Sequence, residues 1–388
     1  MMSKIKVLVC FGTRPEAIKM APLIKELESD DRIETVLCVT AQHRHMLDQV
    51  LDAFSLIPEY DMDIMRKSQS LTHITNAVLS GFEEVTKLCR PDIILVHGDT
   101  TTTFAASLSG YYSRIEVGHV EAGLRTGNKY SPFPEEMNRR LTSAIAGIHF
   151  APTNENKKNL LQENIPAERI YITGNTAIDA LRTTVKENHV FSNDLLNRID
   201  YSKKKVITLT AHRRENLGSP LEAVFRAVRR IADEFPESQM VYPVHLNPAI
   251  RETAGKILGS TGNISLIEPL DVLDMHNLMA RSYFVMTDSG GIQEEAPSLG
   301  RPVLVLRTET ERPEAVEAGT VRVVGVKEED VYREASKLLS SPLEYRSMAN
   351  RVNPYGDGKA SLRIKNAILF FYGIIMERPK DWDPEDGQ

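Results

Sequence analysis

Val285-Met286-Thr287-Asp288-Ser289-Gly290-Gly291-Ile292-Gln293-Glu294-Glu295 reads as strand, glycine turn and helix start in immediate succession. The strand, Phe284–Met286, is apolar throughout, and the two glycines punctuate it before a helical pattern begins. The same alternation extends outward in both directions. Apolar, β-branched runs recur at Val206–Leu209, Met240–Val244, Ile264–Ile267, Val303–Leu306 and Val321–Val324. An earlier set lies at Val7–Cys10, Thr35–Val39, Ile93–Val96, Ile115–Val117, Ile148–Ala151 and Ile170–Thr173. Stretches of helical period separate them, among them Ile18–Leu27, Met46–Phe54, Leu71–Leu88, Leu221–Phe235, Met275–Ala280 and Ile292–Leu299. Strands without polar alternation, spaced by helices, read as parallel sheets buried on both faces. Two sets of six exceed one doubly wound sheet, so the expected fold class is α/β with two Rossmann-like domains facing across a cleft. The expected domains are 1–175 and 176–358, with a last helix at about 359–376 completing the first. The seam is placed between Gly174 and Tyr201, because strand signals lapse across Lys186–Asp200. The polar tail Glu377–Gln388, with its two prolines, is expected to fray.

Composition narrows the function classes. Of 388 residues, 41% are hydrophobic and 26% charged, with a formal net charge of −6. A basic face for nucleic acid or anionic membrane is not to be expected from that balance. Cys10, Cys38 and Cys89 form no CxxC pair and no Cys/His cluster at metal-ligand spacing, which argues against a disulfide frame or a zinc site. Cys10 and Cys38 lie in apolar runs and read as small core residues. Met1 leads into a core-like strand, so no leader is expected, and no apolar stretch approaches about 18 residues. The expectation is a soluble protein of a reducing, cytoplasmic compartment, with no metal and no cofactor.

Ligands of open α/β sheets bind beyond the carboxyl ends of the strands, so those loops carry the information. The first strand ends in Phe11-Gly12-Thr13-Arg14-Pro15-Glu16, and Lys19 follows one turn on. No GxGxxG occurs there, which weakens a dinucleotide reading; Arg14 and Lys19 beside a helix N-terminus suit an anion or a solvated first turn. The third strand ends in His97-Gly98-Asp99-Thr100, where Asp99 reads as a helix cap or as a working carboxylate. The fourth ends in Gly118-His119-Val120-Glu121-Ala122-Gly123, and Glu121 needs a partner if buried. In Pro132-Phe133-Pro134-Glu135-Glu136-Met137-Asn138-Arg139-Arg140, Glu135 and Arg139 share a face at i, i+4, so a surface ion pair is the plain alternative. Three carboxylates at one ligand edge point to proton transfer. The second half differs. Thr210-Ala211-His212-Arg213-Arg214 gathers potential cations, Ser289, Gly290 and Gly291 offer a hydroxyl and backbone N–H groups to a phosphate, and Arg312 joins them. Glu295, one turn into the helix, suits ribose hydroxyls. His149, His189 and His276 lack such context and read as structural or surface histidines.

FGTRPEAIKMAPL, TAQHR, HGDTTTT, GHVEAGLRTG, SPFPEEMNRR, TAHRREN, DSGGIQEEAPSLGRPVLVLR and TERPEA, in this order, resemble the non-hydrolysing UDP-N-acetylglucosamine 2-epimerases. The likeness runs from about Val7 to the final helix and implies the GT-B architecture. It implies that Arg14 and Lys19 reach the nucleotide-sugar. It implies that Asp99, Glu121 and Glu135 are the acidic active-site groups, with Arg139 and His212 the basic ones. Ser289, Gly290 and Gly291 match the phosphate cradle, Glu295 the ribose contact and Arg312 a further UDP contact. Leu270 and Met275 fall where the base is held; many relatives carry an aromatic at the second position. Some members bind a second substrate molecule as activator. Gln42, Glu136, Arg213 and His245 match that site, whereas His45 and Ser68 stand where those members carry Gln and Arg. The resemblance also implies a homodimer and UDP-N-acetylglucosamine as the small-molecule partner.

The implied reaction eliminates UDP across carbons 1 and 2 to 2-acetamidoglucal and re-adds it with inverted configuration at carbon 2. A GT-B glycosyltransferase shares the fold but does not account for three acidic motifs. A hydrolysing epimerase and a UDP-sugar sensor are the remaining alternatives, and intact carboxylates weigh against the sensor.

Overall fold

The computed structural model describes residues 4–42, 44–66, 69–259 and 261–387, side chains at 45, 46, 214, 386 and 387 left aside. Two parallel sheets organise the chain. The first contains β1 Ile5–Phe11, β2 Ile33–Val39, β3 Tyr60–Asp61, β4 Ile93–His97, β5 Glu116–Val120, β6 Ile148–Ala151 and β7 Ile170–Ile172, in the order β3-β2-β1-β4-β5-β6-β7. The second contains β8 Lys205–Thr210, β9 Ser238–Pro243, β10 Ile264–Ile267, β11 Phe284–Thr287, β12 Val303–Val305 and β13 Val321–Val323, in the order β10-β9-β8-β11-β12-β13. One compact unit runs to Ala180 and resumes over Tyr355–Asp386; the other spans Leu181–Pro354. In both sheets the order reverses beside the first strand, between β1 and β4 and between β8 and β11. Such a reversal parts the flanking loops and opens a crevice at the carboxyl ends of the strands.

The apolar strands behave as their composition requires. Along β1, Val7, Val9 and Phe11 enter one core with Met20, Leu23 and Leu27 of the helix Arg14–Glu28 and Ile364 and Ile368 of the helix Ala360–Phe371. Leu8 and Cys10 point the other way, into a core with Val78 and Phe82 of the helix Leu71–Cys89. Successive strand residues face opposite sides, so both faces of β1 are buried and neither tolerates a polar position. Cys10 and Cys38 sit opposite each other in register, and all three cysteines are buried and free.

Three elements depart from the sequence pattern. β3 is a two-residue edge strand, too short to leave a periodic signal. The last helix ends at Phe371 instead of continuing to Met376, because Gly373 adopts φ +69° and turns the chain out of helical geometry. The tail expected to fray is docked. Trp382 is buried at 4% exposure, its N–H donates to the Ile172 carbonyl at 2.7 Å, and Arg363 lies over its ring. Asp381 bonds Lys157 and the Ile172 amide, so β7 gains an edge partner from the polar tail. Asp179 accepts from the amides of Ala360 and Ser361 at 3.1 and 2.7 Å, and so caps the returning helix from within the first unit.

Candidate active site

At the first unit's ligand edge, the β1 and β4 loops are tied together by Glu16. Its Oε2 accepts from the amides of Gly12 and Thr13 and from Thr13 Oγ1, and its Oε1 accepts from Thr100 Oγ1 and Thr103 Oγ1. Arg14, on the first turn of the helix that Glu16 helps to cap, is half-buried and has no ion-pair partner among the described residues. Asp99 does not cap the next helix: Thr100 does, accepting from the Thr103 amide at 3.1 Å. The Asp99 carboxylate is instead 2.5 Å from Arg139 Nη2, and Asn138 donates to its carbonyl at 2.9 Å.

Glu121 directly follows β5 and holds φ +62°, a left-handed conformation that costs a side-chain-bearing residue about 1–3 kcal/mol. The surroundings over-determine it. Lys19 Nζ forms an ion pair with Oε2, Asn175 Nδ2 donates to the same oxygen at 3.2 Å, and His97 Nε2 lies 3.4 Å away. Burial alone would push this carboxyl up, but Lys19 and His97 outweigh it and hold Glu121 well below the usual carboxylate range. His119 braces the neighbouring loop by donating from Nε2 to the Gly98 carbonyl at 2.8 Å. Its burial pushes the imidazole down to about 3, so it stays neutral in that role.

Glu135 opens the helix Glu135–Ile145. The i, i+4 pair with Arg139 does not form, because Arg139 is committed to Asp99 and to Glu136 at 3.5 Å. The buried Oε2 of Glu135 has no hydrogen-bond partner. Glu136, matched by likeness to the activator site, is fully buried and accepts from the Thr126 and Gly127 amides and from Arg140. Gln42 accepts from Thr102 Oγ1 at 3.2 Å. Ser68 and the His45 side chain lie outside the described residues. A groove of about 680 Å³ near Thr86, Arg90, Pro91, Ser109 and Tyr112 sits at the amino ends of β4 and β5, away from this edge.

The second unit's edge is assembled around Asp288, which directly follows β11 and is fully buried. Its Oδ2 accepts from the amides of His212 and Arg213, both at 2.8 Å, and so shapes the loop after β8. Ser289 occupies the N-cap of the helix Gly290–Ser298, so the turn expected from the sequence to cradle a phosphate does stand at a helix N-terminus. A Cβ at Gly290 would lie 3.4 Å from Arg312 Nη2, so the glycine lets the guanidinium close on the helix start. Arg312 is aimed there by an ion pair with the buried Glu294. Glu295 lies 3.6 Å from His276 Nε2, and His276 Nδ1 pairs with Thr184 Oγ1 at 2.7 Å. His276, read from sequence as lacking context, therefore belongs to the surroundings of the ribose candidate. Asp271 caps the helix Val272–Arg281, which places Leu270 and Met275 at its start, both partly exposed. His245 stacks on His212 with ring centroids 5.5 Å apart.

Sequence reasoning missed Glu16, His97, Asn175, Asp288 and His276 as parts of these edges. His97 and Asp288 each stood one or two residues from a chosen position, but Asn175 carried no signal. Among the described residues no cluster of His, Cys, Asp or Glu suits a metal, and no helix is long and apolar enough to cross a membrane.

Two parallel α/β units, of seven and six strands with helices interleaved, place the chain in the GT-B class. A family model described as UDP-N-acetylglucosamine 2-epimerase matches residues 25–369. The Bacillus subtilis UDP-N-acetylglucosamine 2-epimerase is 58% identical over 97% of this chain and 98% of its own length. A crystal structure of UDP-GlcNAc 2-epimerase from Neisseria meningitidis bound to UDP-GlcNAc is 49% identical, with a TM-score of 0.85 over 94% of this chain and 100% of that one. An S. aureus MnaA–UDP co-structure is 50% identical, with a TM-score of 0.89 over 98% and 100% of the two chains. The chain belongs to the UDP-N-acetylglucosamine 2-epimerase family of enzymes.

Proposed function

We propose that the protein interconverts UDP-N-acetylglucosamine and UDP-N-acetylmannosamine by eliminating UDP to 2-acetamidoglucal and adding it back. The observation that carries this reading is the set of three carboxylates on one edge, each in a different electrostatic setting. Asp99 is paired with Arg139, Glu121 is locked as an anion by Lys19, and Glu135 has a buried oxygen without a partner. A binding protein for an anionic ligand would gain nothing from such a set, whereas proton transfer at carbon 2 needs one.

The hydrogen on carbon 2 has no adjoining carbonyl to make it acidic. Its removal must be coupled to departure of the group on carbon 1. A carboxylate takes the proton, the carbon 1–oxygen bond breaks with its electron pair leaving on UDP, and a double bond forms between carbons 1 and 2. A second carboxyl then protonates carbon 2 from the opposite face while the diphosphate oxygen bonds carbon 1 again. Asp99, Glu121 and Glu135 are the candidates for these transfers. His212, Arg312 and the N–H groups beyond Ser289 stabilise the charge that develops on the departing diphosphate. Glu295 takes the ribose, and Leu270 with Met275 takes the base. Purified protein given UDP-N-acetylglucosamine in deuterated water is expected to equilibrate it with UDP-N-acetylmannosamine, with deuterium at carbon 2. Absence of exchange refutes the proposal, and net release of UDP with free sugar assigns the protein to hydrolysis instead.

A further inference from the structure

Asp288 stands outside the roles just assigned, although it directly precedes the phosphate cradle. It is wholly buried, and a buried carboxylate is retained only where its oxygens are used. Oδ2 is saturated: it accepts from the His212 and Arg213 amides at 2.8 Å and from Asn216 Nδ2 at 3.3 Å. Oδ1 has no hydrogen-bond partner, and the group aimed at it is His212 Nδ1, 3.3 Å away.

We propose that Asp288 is a positioning residue for His212, holding a proton on Nδ1 and favouring the imidazolium, whose Nε2–H then donates to the diphosphate. The two nitrogens of an imidazole are inequivalent, and the partner of one decides what the other offers. The backbone bonds to Oδ2 fix the loop, and the open Oδ1 fixes the ring within it. The charged groups around His212 among the described residues are Asp288, Arg213 on its own loop and His245 from the loop after β9. Burial, His245 and Arg213 disfavour the imidazolium, and Asp288 alone favours it. Asp288 thus keeps the cation within reach when negative charge develops on the leaving group. The assignment rests on the proposed function for the identity of the ligand, but the tautomer does not depend on it.

The test is Asp288→Asn in the full chain. An asparagine carbonyl still accepts from the two amides, while its NH2 group faces Nδ1 and demands the opposite tautomer. By nitrogen-15 NMR, neutral His212 is expected to carry its proton on Nδ1 in the wild type and on Nε2 in the variant. The His212 midpoint is expected to fall by about one unit, a tenfold loss of imidazolium. Turnover is expected to fall at least tenfold at neutral pH, mainly in kcat. In a His212→Gln background the same substitution is expected to cost less than twofold. Equal losses in both backgrounds would mean that Asp288 only supports the loop, and would overturn the proposal. If Asp288→Asn does not fold, the wild-type spectrum decides, since an Nε2–H tautomer there is equally fatal. A protein that shows the expected tautomer without epimerisation would refute the function while leaving the dyad standing.

Discussion

Glu16→Ala tests whether the first unit's ligand edge is held together as described. The carboxylate accepts five hydrogen bonds at 2.7 to 3.1 Å and is 2% exposed. Not all five donors are stranded by the truncation. Thr103 Oγ1 also reaches the His97 carbonyl at 2.6 Å, and Thr100 Oγ1 reaches Thr103 Oγ1 at 3.1 Å. The amides of Gly12 and Thr13 and the Thr13 hydroxyl have no second acceptor among the described residues, and each orphaned buried donor costs about 1–3 kcal/mol. The sum is about 3–9 kcal/mol, which at roughly 2–4 °C per kcal/mol for a unit of this size lowers its melting transition by about 6–36 °C. Calorimetry on the whole protein reads this directly. The variant's first-unit transition is expected to drop while the second unit's stays in place. Glu16→Gln is expected to lose about half as much, because one amide oxygen still accepts. A fall below about 2 °C in Glu16→Ala would refute the reasoning, showing that loop relaxation or water satisfies the stranded donors.

Glu121→Gln is expected to bind UDP within about threefold of wild type while turnover falls at least about a hundredfold, measured by calorimetry and coupled kinetics. Because Lys19 and His97 depress the Glu121 carboxyl, its ionised form stabilises the fold above the ordinary carboxylate range, and that stability fades as pH falls through the depressed value. Lys19→Met removes one of those cations. It is therefore expected to move the acid limb of the pH–rate profile to higher pH, and an unmoved limb counts against an ionised Glu121. Trp382→Ala is expected to destabilise the first unit by about 3–5 kcal/mol in denaturant melts, as for a buried aromatic; a loss under about 1 kcal/mol would mean the tail is not docked.

The two parallel sheets were legible because strands buried on both faces cannot hide their composition. β1 shows why: with cores on either side, nearly every residue from Ile5 to Phe11 is apolar, and only Lys6 escapes at the strand's start. The strand-to-helix turn at Asp288–Gly291 was legible for a similar reason, since a tight turn at a helix start restricts residue type at consecutive positions. The tail was misread because its order depends on a few long-range bonds made by Asp381 and Trp382 to β7, which leave no period in the sequence. The surface pair of Glu135 with Arg139, the plain alternative for that motif, does not form. Helical spacing licensed it, but Arg139 found Asp99 from a different loop.

Local chemistry therefore determined the class of the chain, its strand ends and the residue types gathered there. A strand, a turn or a helix start is decided by neighbours within a few residues, and those neighbours are written in order. Which carboxylate is locked, which is paired and which is left open came from folding. Lys19, His97 and Asn175 reach Glu121 from positions up to 102 residues away, and Arg139 reaches Asp99 from another helix. Electrostatic state depends on distance through space and on desolvation, and neither is a property of sequence spacing.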